Sequence, residues 1–149
     1  MLLRSLPLFA ALSPEEVEKI AEVCETKSYD SGAYIFREGD PGNRLFIIVE
    51  GSVRISRQIP GAGEEALAVL KRGAMFGEMA VFDRSERSTD AISHGGTTVL
   101  TISRSEFEML LEFNRDLAFK VLWAVVRMLS GRLRSTNESL KSFLALSMF

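Results

Sequence analysis

The sequence predicts an α+β fold: an antiparallel β-roll or jelly roll with a short helix before it and two helices after it, the last one long. Three observations lead there. From Glu25 to Ser103 the chain consists of short runs rich in Val, Ile, Thr and Phe, punctuated by Gly, Pro, Asn and Asp, as strands joined by tight turns require. On either side of that region a serine is followed three residues later by glutamate, Ser13 with Glu16 and Ser103 with Glu106, a pattern that caps helix starts. Beyond Arg115 there is no proline, and apolar residues recur at steps of four and three, the spacing of one long helix with a seam.

Taken in order, Ser13-Pro14-Glu15-Glu16 opens a helix over about 14–24, with proline at the first helical position and Leu12 set to pack on Val17. Val17, Ile20, Ala21 and Cys24 share its apolar face, which makes Cys24 a core residue. The β-roll is expected over about 25–103, with strands at 26–29, 33–37, 45–50, 52–57, 66–70, 90–93 and 97–103. Turns fall at 39–43, at Gly51 and at the glycine-rich tip 60–63. A helix over about 104–113 buries Phe107, Leu110, Leu111 and Phe113. The last helix, about 115–146, carries Leu122, Val126, Leu129, Leu133, Thr136, Leu140 and Phe143 as a heptad seam, and predicts a parallel homodimer. Its first half has a second stripe, Ala118, Val121, Val125 and Met128, for packing on its own roll. Gly131 in mid-helix is expected to mark a close backbone approach.

Composition narrows the function. The 149 residues, 46% of them hydrophobic, suit a single domain over 1–149. A net charge of −2 without a long basic run lacks the electrostatic footprint of nucleic-acid or anionic-membrane binding, so neither is an expected partner. A single cysteine rules out an internal disulfide framework and makes the cytoplasm the expected location. The apolar N-terminus is interrupted by Arg4 and Pro7, which argues against a signal peptide or membrane span. His94 is the only histidine, so no metal site is expected, and Ser13, Ser85, Ser88 and Ser103 lack the partner that nucleophilic catalysis generally uses. The chain is not expected to be an enzyme.

The stretch from Met75 to Ala91 is ordered for chemistry. Phe76-Gly77-Glu78 leaves a strand-like run through a glycine and enters a short apolar segment, Met79-Ala80. The N–H groups after Gly77 can then favour an anion. Nine residues after Glu78 comes Arg87 with Ser88, a planar cation beside a hydroxyl, suited to the oxygens of a phosphate. Glu78 would be repulsive there unless it accepted hydrogen bonds from a neutral part of the ligand, and a sugar hydroxyl is the obvious donor. Phosphate with ribose means a nucleotide. Asp83, Arg84, Glu86 and Asp90 are expected to be solvated loop charges.

Phe76-Gly77-Glu78-Met79-Ala80 followed by Arg87-Ser88 resembles the phosphate-binding cassette, here 76–89, of the cyclic nucleotide-binding domain family. The strand pairs 35–40 and 45–51 resemble those that precede it. The resemblance implies that Glu78 takes the ribose 2′-hydroxyl, Arg87 the cyclic phosphate, and the backbone around Gly77 supplies donors. Thr89 stands where the family usually has alanine. In the catabolite activator branch a threonine and a polar residue on the long helix reach adenine across a dimer, and Thr136-Asn137 falls at the matching place. The implied ligand is cyclic AMP (cAMP), ahead of cyclic GMP (cGMP), bound to a sensor that signals to an effector protein by moving its last helix. The apolar tail 143–149 is a candidate reporter, the alternative being a tail folded back on its own dimer. No reading helix follows the long helix, so a stand-alone sensor and the sensor half of a longer transcription regulator are both open. The alternative is a dimeric interaction module that binds no nucleotide.

Overall fold

A computed structural model describes residues 2–148; Met1 and Phe149, the last residue of the candidate reporter tail, lie outside the described residues. After two short 3-10 turns, Leu2–Ser5 and Pro7–Phe9, helix α1 spans Pro14–Val23. Strands β1 (Glu25–Tyr29), β2 (Tyr34–Phe36), β3 (Arg44–Ile59), β4 (Gly63–Lys71) and β5 (Met75–Phe76) follow. Then come α2 (Glu78–Asp83), β6 (Asp90–Ser103), α3 (Arg104–Phe113) and α4 (Arg115–Ser147). The six strands form one antiparallel sheet in the order β1-β6-β3-β4, with β2 paired to β6 and β5 to β3.

The run Leu45-Phe46-Ile47-Ile48-Val49 is buried throughout because both faces of β3 are covered. Leu45, Ile47 and Val49 point to a core shared with the helices, joined by Val17, Ile20, Phe107, Leu117, Val121 and Val125. Phe46 and Ile48 point the other way, into the roll, with Val53, Phe76, Ala91 and Val99. The period-two alternation of a strand thus divides one apolar run between two cores.

The expected turn at Gly51, and the break expected between the strands at 90–93 and 97–103, are bends within strands. Residues 45–50 and 52–57 form the single strand β3, and 90–93 with 97–103 form β6. The β3–β6 register shifts between Ile48 and Glu50 and again between Gly51 and Ser52, and such bulges bend a strand without ending it. Gly51 has φ +80°, and a Cβ there would lie 2.1 Å from the Gly96 carbonyl oxygen. Periodicity alone cannot distinguish this bulge from a turn.

The Ser13 box forms in both directions: Ser13 Oγ accepts from the Glu16 N–H at 3.2 Å, and Glu16 Oε1 accepts from the Ser13 N–H at 2.8 Å. Leu12 and Val17 are buried in the same core. Cys24 caps the C-terminus of α1, and burial pushes its thiol up to about 11. Glu16 also accepts from Lys120 Nζ at 2.7 Å, tying α1 to α4. That contact, first among several, holds the Glu16 carboxyl below its ordinary value of 4.5. A carboxyl depressed by folding stabilises the protein above its unfolded pKa and loses that contribution as pH falls through the folded value. Glu16→Gln should therefore lower the melting temperature at neutral pH, and the gap to the parent should close on acidification below 4.5. A gap independent of pH would show that the ion pair is not its source.

At α3, Ser103 Oγ accepts from the Glu106 N–H at 3.2 Å. Phe107 and Leu110 are buried and Leu111 packs against the core, but Phe113 is 76% exposed, which corrects its placement on the buried face. It is the last residue of α3, and the chain turns at Asn114 before its ring can reach the core. On α4, Leu117, Ala118, Val121 and Val125 are buried against the roll. Leu122, Val126, Leu133, Leu140 and Phe143 are exposed within the single chain. Within one chain no group among the described residues approaches Gly131: an added Cβ would meet nothing within 4 Å, and none of these residues explains the glycine.

Candidate functional site

The cassette is built on a strap. Gly39 N–H donates to the Arg87 carbonyl and Arg87 N–H to the Asp40 carbonyl, each at 2.9 Å. Pro41 bridges Glu86, and Asp90, expected among the solvated loop charges, is instead 5% exposed, its Oδ1 accepting from the Glu38 N–H at 2.8 Å. Gly42 then lies against α2, where a Cβ would sit 1.9 Å from the Ala80 Cβ. Gly42→Ala should push α2 from its seat at a cost of about 1–3 kcal/mol, typical of overpacking, visible as a lower melting temperature together with weaker ligand binding. An unchanged melting temperature would mean that the strap is looser than its geometry.

Gly77 caps α2 in the left-handed region, φ +79°, ψ +5°, a conformation glycine adopts at little cost. A Cβ at Gly77 would lie 2.8 Å from Arg87 Nη1. Arg87 itself is 5% exposed. Its Nη1 donates to the Gly77 carbonyl and its Nη2 to the Arg44 carbonyl, both at 2.7 Å. Its guanidinium carbon lies 4.2 Å from the centre of the Phe36 ring, beside the stacked rings of Phe46 and Phe76. Burial pushes the Arg87 pKa down, while Glu78 and Asp40 oppose that shift. Arg87 Nε is buried without a hydrogen-bond partner, and no ion pair involving Arg87 is found among the described residues. The result is a buried cation held by carbonyls and aromatic faces, with donors left over.

Arg87, Gly77 and the Phe36 and Phe76 rings line a cavity of about 150 Å³. Phe76, Gly77, Glu78, Met79, Ala80, Arg87, Ser88 and Thr89 are all brought to it. Glu78 is 5% exposed; Ser88 is exposed and Thr89 half-buried. Thr136 and Asn137 are not brought there within one chain. Both are exposed, and Thr136 Oγ1 donates to the Arg132 carbonyl at 2.9 Å.

The sequence reading missed Arg132. From α4 its Nη1 donates to Glu78 Oε1 at 3.2 Å and its Nη2 to the Met75 carbonyl, so the long helix enters the cavity wall. The signal available was its position one turn before Thr136, on the same side of the helix. Phe36, Ile55 and Leu70 were also missed as lining residues, because strand patterning marks them only as apolar.

Residues 26–114 match the family model described as the cyclic nucleotide-binding domain. The chain belongs to this family. Over 109 residues it is 36% identical to the cyclic AMP receptor protein of Thermus thermophilus, covering 73% of this chain and 50% of that protein. Over 112 residues it is 39% identical to isozyme 1 of the cGMP-dependent protein kinase of Drosophila melanogaster, covering 73% of this chain and 15% of the kinase. Among solved structures, a cyclic nucleotide-binding domain from Methylobacillus flagellatus superposes with a TM-score of 0.82 at 28% identity, over 93% of this chain and 78% of that one. The chain thus spans half or less of the two relatives named first. The matched domain is a ligand-binding module, and the cyclic nucleotide-binding fold is the jelly roll described above. Among the described residues no group of His, Cys, Asp and Glu could hold a metal ion, and no helix is long and apolar enough to cross a membrane.

Proposed function

We propose that this cyclic nucleotide-binding domain is a sensor for cyclic AMP, with cyclic GMP as the weaker ligand, and that the ligand repositions α4. The observation that carries the reading is Arg87, a buried cation that no carboxylate pairs among the described residues, set beside the glycine cap of α2. A cyclic phosphate supplies the missing charge. It would take the remaining guanidinium donors and the first-turn N–H groups of α2, to which Gly77 offers no side-chain acceptor. Glu78 accepts the ribose hydroxyl, and Ser88 adds a hydroxyl at the phosphate. At about 150 Å³ the cavity is smaller than the ~300 Å³ of sites that enclose a whole drug-sized ligand. Phosphate and sugar fill it, and the base sits at its mouth. Thr136 and Asn137 of a second subunit are the proposed partners of that base.

Arg132 gives the ligand its hold on α4. The ribose competes with Arg132 for Glu78, so the bound and free states differ in what anchors the middle of the helix, and such a difference shifts a population. A coupling of roughly 1–3 kcal/mol is typical. Calorimetry with both nucleotides tests the ligand class, and hydrogen exchange tests the switch. Saturating cyclic AMP should alter amide protection from Leu133 onwards, and Arg132→Ala should keep binding but abolish that change. Unaltered protection in the parent would show that α4 is not the switch. The effector protein is proposed to read the C-terminal end of α4 and the residue that follows it, where Leu144, Leu146 and Met148 are exposed.

A further inference from the structure

A larger groove, about 500 Å³, lies on the other side of Arg132. Leu8 of the N-terminal turn, Leu70 and Ala74 around the β4–β5 turn, and Ala124 and Met128 of α4 give it apolar walls. The walls are braced: Arg72 Nη2 donates to Ser5 Oγ at 2.7 Å, and a Cβ on Gly73 would lie 3.2 Å from Pro7 Cδ. Among the described residues, its charged lining residues are Arg127 and Arg132. Arg132 is engaged by Glu78 and the Met75 carbonyl. The Arg127 guanidinium sits 5.3 Å from the centre of the Trp123 ring, and no hydrogen bond or ion pair reaches it among the described residues. At 3.6 residues per turn, Ala124 and Met128 lie on the side of α4 turned away from Leu122, Val126 and Leu133. A dimer formed through that seam leaves the groove open.

We propose that this groove is a second ligand site, for a small amphipathic anion whose aliphatic body lies on Leu8, Leu70, Ala74 and Met128 and whose carboxylate pairs with Arg127. The volume falls within the roughly 300–1,000 Å³ of small-molecule sites, which are mostly apolar with a few placed polar groups. The charge at the rim has one sign, so an anion is selected over a cation or a neutral lipid. The groove shares Leu70 and Arg132 with the nucleotide cavity, so its occupant would act on the same helix.

Decanoate and decanol, titrated below their aggregation limits into the full chain, separate the charged from the neutral ligand. Calorimetry should show one decanoate bound per chain, and Trp123, the sole tryptophan, should report it by a saturable change in emission. Decanol should bind about tenfold more weakly, the difference one charge-assisted contact makes. Arg127→Gln should reduce decanoate to the level of decanol. Ala124→Phe should abolish both while circular dichroism shows the fold retained. The proposal is overturned if decanoate gives no saturable heat, or if decanoate and decanol bind equally and Arg127→Gln changes neither. It is also overturned if sedimentation shows that Ala124→Phe changes the association state, which would make the groove a contact between subunits.

Discussion

Replacing Arg87 with alanine is expected to weaken cyclic AMP binding by at least about thirtyfold, equivalent to about 2 kcal/mol for a lost contact to a charged group. The same change leaves the Gly77 and Arg44 carbonyls without their donor, so the melting temperature should also fall. Arg87→Lys keeps the charge but cannot reach both carbonyls while facing the phosphate, and should give an intermediate affinity. Glu78→Ala should cost less than Arg87→Ala, because it removes a hydrogen bond to a neutral hydroxyl rather than the buried cation that faces the phosphate. Equal and small losses from the two alanine variants, with the fold intact by circular dichroism, would contradict the assignment of the cassette.

The second large effect concerns association. Within one chain Leu133 is 62% exposed, Leu140 55% and Phe143 66%, a stripe too apolar and too regular for a solvated helix face. Two copies of α4 packed in parallel would cover it. Leu133→Glu would then place two unpaired carboxylates in the seam, at a cost of several kcal/mol. Sedimentation should show a dimer for the parent chain and a monomer for the variant. A parent chain that stays monomeric at every concentration would remove the seam, and with it the proposed route from Thr136 and Asn137 to the base.

The parts legible from sequence were those in which one short pattern fixes one local geometry. Ser13 with Glu16 marked a helix start, and the reciprocal cap is present. Gly77 flanked by an apolar residue and a glutamate marked a strand-to-helix junction, and the junction is left-handed at that glycine. The parts that could not be read depend on residues distant in the chain. Gly51 has the sequence signature of a turn, and nothing local shows that the Gly96 carbonyl lies over it. Arg132 carries no local mark of its role, because its partner, Glu78, is 54 residues away. Gly42 was assigned to a turn, whereas its lack of a side chain is what lets α2 pack on the strap. Helical spacing puts Phe113 on the buried face, but it lies two residues beyond Leu111, the last residue of α3 that packs on the core.

The central claim, that Arg87 and Glu78 form a cyclic nucleotide site, is tested most directly by titrating cyclic AMP and cyclic GMP into the full chain in a calorimeter. The account predicts saturable heat with one nucleotide per chain, tighter for cyclic AMP, and its loss in Arg87→Ala. Absence of both heat and thermal shift with either nucleotide, at concentrations in the millimolar range, would contradict it and leave a dimeric interaction module as the reading of this fold.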